Sequence, residues 1–98
     1  MTPSQIAELI IGIAKTQAAI VNAVSAVVDN GKFQPDVKQQ VGNALYSLLG
    51  GQHQQPPQWS NLNAQALRDV LARGSHAEKN LEKTMLAQVE TLLQEHPQ

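Results

Sequence analysis

Residues 2–31, TPSQIAELIIGIAKTQAAIVNAVSAVVDNG, decide the fold. Thr2 carries a hydroxyl able to cap a helix. Pro3 suits a first helical turn, where its missing N–H costs nothing, and Gln5 stands three residues after Thr2, the spacing of a capping box. Ile6, Leu9, Ile10, Ile13, Ile20, Val21, Val24, Val27 and Val28 then recur at helical spacing, and Asn30-Gly31 offers the left-handed residues that end a helix. The stretch predicts a helix within residues 3–29, near 39 Å long at about 1.5 Å per residue. Valine and isoleucine are weaker helix formers than leucine, so such a helix depends on tertiary burial.

Plotted at about 100° per residue, Glu8, Lys15, Asn22 and Asp29 share one narrow polar stripe, and the large aliphatics lie on the opposite side. Ala7, Ala14 and Ala18 flank that aliphatic side, while Ala23 and Ala26 lie nearer the stripe. An apolar arc this wide can touch more than one neighbour, which makes the segment the central helix of the fold. Gln17 falls near the middle of the arc, between Ile10, Ile13, Ile20, Val21 and Val24. A buried amide without a partner costs roughly 1–3 kcal/mol, so Gln17 is expected either to set the register of a helix pair or to be satisfied within one chain.

The rest of the chain divides into three shorter helical segments. Gln34-Pro35-Asp36 suits a helix start, and Val37, Val41, Ala44, Leu45, Leu48 and Leu49 form one apolar face before Gly50-Gly51, giving a helix over 35–49. Gly42 interrupts that helix, through tolerance more than through a required close contact. Residues 50–58 then read as a Gln/Pro-rich linker between two helical pairs, with Pro56-Pro57 favouring extended backbone. Leu62, Ala66, Leu67, Val70 and Leu71 mark a third helix over 61–73. Ser75 and Glu78 have capping-box spacing for a fourth over 76–95, whose apolar positions are Leu81, Met85, Val89, Leu92 and Leu93. With no strand signal, the expected architecture is all-α: a small four-helix bundle, one domain over 1–98.

The 98 residues leave room for one core, and with no cysteine there is neither a disulfide nor a thiolate metal site to staple it. Charged residues make up 15%, well under the ~25% usual in soluble domains, and residues 1–58 hold only six of the fifteen. The first half of the chain is thus the half prepared for contact. A net charge of -1 disfavours nucleic-acid binding, which draws on an excess of lysine and arginine. A helix-turn-helix over 65–85 would present Lys79 and Lys83, but Glu78, Glu82 and Glu90 on the same helix would oppose phosphates. The first segment is long enough to span a bilayer, yet Glu8, Lys15, Thr16, Gln17 and Asn22 interrupt it. A lysine at the middle of a spanning helix costs about 2.5–3.5 kcal/mol, and no basic residue precedes the run as in a secretory signal.

Chemistry finds little purchase. His53, His76 and His96 are never three or four residues apart, so no helix face presents two of them to a metal. Glu78 and Glu82 lack the Glu-x-x-His pattern of helical metal sites, no serine sits in a nucleophile elbow, and no Gly-rich loop joins a strand to a helix. The expectation is a non-enzymatic, soluble, cytoplasmic interaction module without cofactor or metal. It self-associates as a homodimer through the first helix pair and offers a surface to a further protein. Ile6, Ile10, Ile13, Gln17, Ile20, Val24 and Trp59 are the interface candidates. Trp59 is read chiefly as an anchor for the linker, and otherwise as an exposed hot spot. One alternative is a secreted or membrane-active protein that uses the first helix; another is a small adaptor, chaperone or immunity-like inhibitor of a specific partner.

Overall fold

The capping box expected at Thr2 forms. Thr2 Oγ1 accepts the Gln5 N–H at 3.1 Å while Gln5 Oε1 accepts the Thr2 N–H at 3.0 Å. It opens helix α1, Pro3–Val28, in the computed structural model, which describes residues 1–31, 33, 36–53, 58–73 and 78–95. At the other end the Asp29 N–H donates to Ser25 O at 2.8 Å, and Asn30 and Gly31 take positive φ values of 33° and 82° that turn the chain away. Helix α2 covers Asp36–Leu48, and its stop is a Schellman motif: Gly51 N–H reaches Tyr46 O at 2.9 Å and Gly50 N–H reaches Ser47 O at 3.1 Å. Both glycines have positive φ, which is why Gly50-Gly51 ends this helix cleanly.

The third helix begins differently from expectation. A single 3-10 turn at Trp59–Asn61 precedes helix α3, Leu62–Arg73, so the chain is already wound before the first apolar residue of the helix. Helix α4 covers Glu78–Glu95. Pro35, the linker residues 54–57, and the Ser75 cap lie outside the described residues. The described residues contain four α-helices and no strand, an all-α bundle.

Helix α1 touches each of the other three, so its central place is as expected. Its buried face is not. The side chains that enter the core are Ala7, Ile11, Ala14 and Ala18, with Ser25 further along, whereas Leu9, Ile13, Ile20, Val24, Val27 and Val28 are exposed. The alanines are thus the seam itself and not its flank. The reason is distance: against α3 and α4, a row of alanines lets the helices approach closely enough for Leu62, Met85, Val89 and Leu92 to be almost wholly buried between them. A row of isoleucines would hold them apart.

Ile6, Ile10, Leu45, Val70, Leu71 and Leu86 border this core, half-buried. Helix α2 has no fully buried side chain; Leu49, just past its end, is the buried one, and Ala44 and Leu48, expected on its apolar face, are exposed. Its attachment rests on other contacts. Arg68 of α3 lies over the Tyr46 ring at 5.0 Å from the centroid, a cation–π contact. At the opposite end Asp29 does the work: it stands on the polar stripe of α1, yet it is buried, because the chain turns back on it. Asp29 Oδ1 accepts the Asp36 N–H at 3.0 Å, both carboxylate oxygens face the Val37 N–H at 3.2 and 3.4 Å, and Ser25 Oγ donates to Oδ2 at 2.6 Å. One residue closes α1 and caps α2.

Candidate functional site

Helix α1 carries apolar side chains on two arcs, and the bundle covers only one. The covered arc centres on Ala7, Ala18 and Ser25. The other centres between Ile13 and Ile20, about 140° away around the axis at 100° per residue. On it Leu9, Ile13, Ile20, Val24 and Val27 are 54%, 52%, 60%, 45% and 79% exposed. For side chains of this kind, full burial is worth about 1.5–3 kcal/mol each, so the row represents a large undrawn reserve of association energy. Thr16 and Ala23 flank the row on the side of the polar stripe and are also exposed. The Thr16 hydroxyl donates to Gly12 O at 3.1 Å, so it adds no unsatisfied donor to the surface. The polar stripe of Glu8, Lys15 and Asn22 lies well round the helix, leaving this face uncharged.

The interface candidates therefore separate into two groups. Ile13, Ile20 and Val24 lie on the exposed face, while Ile6 and Ile10 sit at the edge of the core. Leu9 and Val27 belong to the face as well; the signal for them is that each stands one turn beyond a candidate, Leu9 before Ile13 and Val27 after Val24. Gln17 is half-buried, and its Oε1 is turned away from solvent with no hydrogen-bond partner. It is satisfied by no backbone group. Trp59 is 42% exposed in the 3-10 turn, outside the central core cluster.

A family scan, a curated-protein search and a solved-structure search each returned no match to this chain.

Concavities also occur among the described residues. An open groove of about 1130 Å³ runs between the N-terminal half of α1 and α4, where Glu8 and Lys15 face Glu82 and Lys83. A smaller one, about 430 Å³, lies between α3 and α4 near Arg68, Asp69 and Asn80. The first mixes both charge signs on open walls, and neither brings together side chains arranged as acid and base. Among the described residues no group of three or more His, Asp or Glu converges on a point that could hold a metal. His76 and His96 lie outside the described residues, and His53 follows the end of α2.

Proposed function

We propose that this chain is a non-enzymatic protein–protein interaction module that self-associates as a homodimer through α1. The observation that carries this is the exposed row Leu9, Ile13, Ile20, Val24 and Val27 on one uncharged helix face. Monomers seldom leave a contiguous apolar patch beyond a few hundred Å² in water, and a larger one marks a contact surface. The row lies on the low-charge half of the chain, where few side chains would need desolvating on association. The reading takes the chain as soluble and cytoplasmic, since Lys15 at the middle of α1 opposes membrane crossing.

Sedimentation equilibrium tests it, with the unaltered chain beside an Ile13→Asp/Ile20→Asp variant. Both positions are exposed, so the variant keeps its fold, verified by circular dichroism. The expected result is reversible dimerisation in the unaltered chain, weakened at least about tenfold in the variant, the equivalent of ~1.4 kcal/mol. A monomeric mass at every concentration, or equal association in the two proteins, sinks the proposal.

A second reading has one observation in its favour. Helix α1 is long and apolar enough to cross a membrane, with an 18-residue window of mean hydropathy 1.5, of which 22% is buried in the bundle. The same face would then lie at a lipid interface. Interfacial helices usually carry several lysines or arginines on the polar side, whereas α1 has Lys15 alone. Flotation with anionic vesicles separates the readings: lipid binding by a chain that stays monomeric in solution selects this one.

A further inference from the structure

We infer that α2 is a releasable strap: it leaves the bundle as a unit while α1, α3 and α4 stay packed, and Asp29 is the clasp that holds its N-terminal end. The inference stands apart from the self-association reading. The buried cluster that forms the core draws its side chains from α1, α3 and α4 and none from α2. Across the 13 residues Asp36–Leu48 no side chain is fully buried, and the apolar residues Val37, Val41 and Leu45 reach only half-burial. Elements with few buried apolar contacts open locally at a lower free energy than the core beside them. Release of α2 therefore leaves the packing of Ala7, Ala14 and Ala18 with Leu62, Met85 and Val89 in place.

The fastenings of α2 stand at its ends. At the N-terminal end the Asp29 carboxylate accepts the Asp36 and Val37 backbone N–H groups at 3.0 and 3.2 Å and the Ser25 hydroxyl at 2.6 Å. Water can take over each of these hydrogen bonds on release, so the clasp opens without stranding a polar group. At the C-terminal end Arg68 lies over the Tyr46 ring, and the buried Leu49 lines the cleft between α3 and α4 together with Leu81 and Met85. Turns with positive φ bound the helix on both sides, at Asn30-Gly31 and at Gly50-Gly51, so α2 is a separate helical unit and not an extension of either neighbour. A helix of this length is marginal in water by itself. Gly42, near its middle, has open space where a Cβ would stand and lowers its helical preference further. Once released, α2 unravels, and the parts of α1 and α3 on which it rests are bared.

Residue-resolved hydrogen exchange of the unaltered chain is the test. After correction for intrinsic rates, the Val41 and Leu45 amides are expected to exchange at least about tenfold faster than those of Met85 and Val89, with a weaker dependence on urea. Equal protection and equal urea dependence in the two groups overturn the inference, because α2 would then open only with the whole molecule. The clasp is probed with Asp29→Ala. In that variant exchange at Val41 and Leu45 is expected to rise about thirtyfold while Met85 and Val89 remain the slower pair. No rise at α2 removes Asp29 as the clasp. A variant that loses the whole bundle by circular dichroism also overturns the strap, since α1, α3 and α4 should outlast the release of α2.

Discussion

At the scale of single residues, Asp29 shows how one side chain fixes the junction of two helices. A carboxylate at the C-terminus of α1 opposes that helix's dipole, yet the same carboxylate meets the positive N-terminus of α2 and accepts from Asp36 and Val37 backbone N–H groups and from Ser25. Hydrogen bonds to a charged group are worth about 1.5–3 kcal/mol, and their loss strands buried donors. Asp29→Ala is expected to lower stability by about 2–3 kcal/mol in urea unfolding, and Ser25→Ala by about 1 kcal/mol. The two losses should fall short of additive in the double variant, because they share one hydrogen-bond group. A loss below ~0.5 kcal/mol for Asp29→Ala would show the cap to be incidental. Gly42 gives the opposite sign. A Cβ built there meets nothing within 4 Å, so the glycine answers no packing need, and Gly42→Ala should raise stability by up to ~1 kcal/mol, read as a higher urea midpoint. Unchanged or lower stability would mean that Gly42 answers a packing need after all.

At the scale of elements, α1 separates what spacing can and cannot reveal. Its start at Thr2-Pro3-Ser4-Gln5 and its stop at Asn30-Gly31 were legible because capping is local chemistry, settled within four residues. Which arc faces the bundle was not legible. Helical periodicity identifies an apolar arc, but α1 has large aliphatics on one side and a seam of alanines beside them, and hydrophobicity alone ranks the aliphatics as core. The choice depends on how near α3 and α4 can come, a property of three helices together. Asp29 hid its role for a similar reason: its partners on α2 follow it across a turn, and a seven-residue polar spacing looks the same whether the stripe is solvated or folded over. The seam makes a direct prediction. Ala14 is wholly buried, so Ala14→Leu must force the helices apart and should cost about 1–3 kcal/mol in thermal or urea unfolding. Ile13→Ala, its neighbour on the outer face, should cost under ~0.5 kcal/mol at concentrations where the chain is monomeric. Equal losses at the two positions would contradict the assignment of faces.

At the scale of the whole molecule, the bundle measures 47 × 27 × 19 Å, with a radius of gyration of 14.4 Å against about 13 Å for a compact domain of this length. A central helix normally ends up enclosed; here three shorter helices wrap one side of α1 and leave the other in water. The physical character of that open side dictates how association should respond to conditions. Contacts between charged groups weaken as salt rises, since the Debye length falls from about 10 Å at 0.1 M to about 3 Å at 1 M. The row from Leu9 to Val27 has no charged side chain in it, and the net charge of -1 produces little long-range repulsion between copies. The dimer dissociation constant is therefore expected to change less than about twofold between 0.05 and 0.5 M sodium chloride. Burial of aliphatic surface should also give a negative heat-capacity change of association, with binding that weakens on cooling from room temperature. Titration calorimetry of dimer dissociation at several temperatures and two salt concentrations measures both. A tenfold weakening with salt would mean that the mixed-charge groove of Glu8, Lys15, Glu82 and Lys83, and not the aliphatic face, forms the contact.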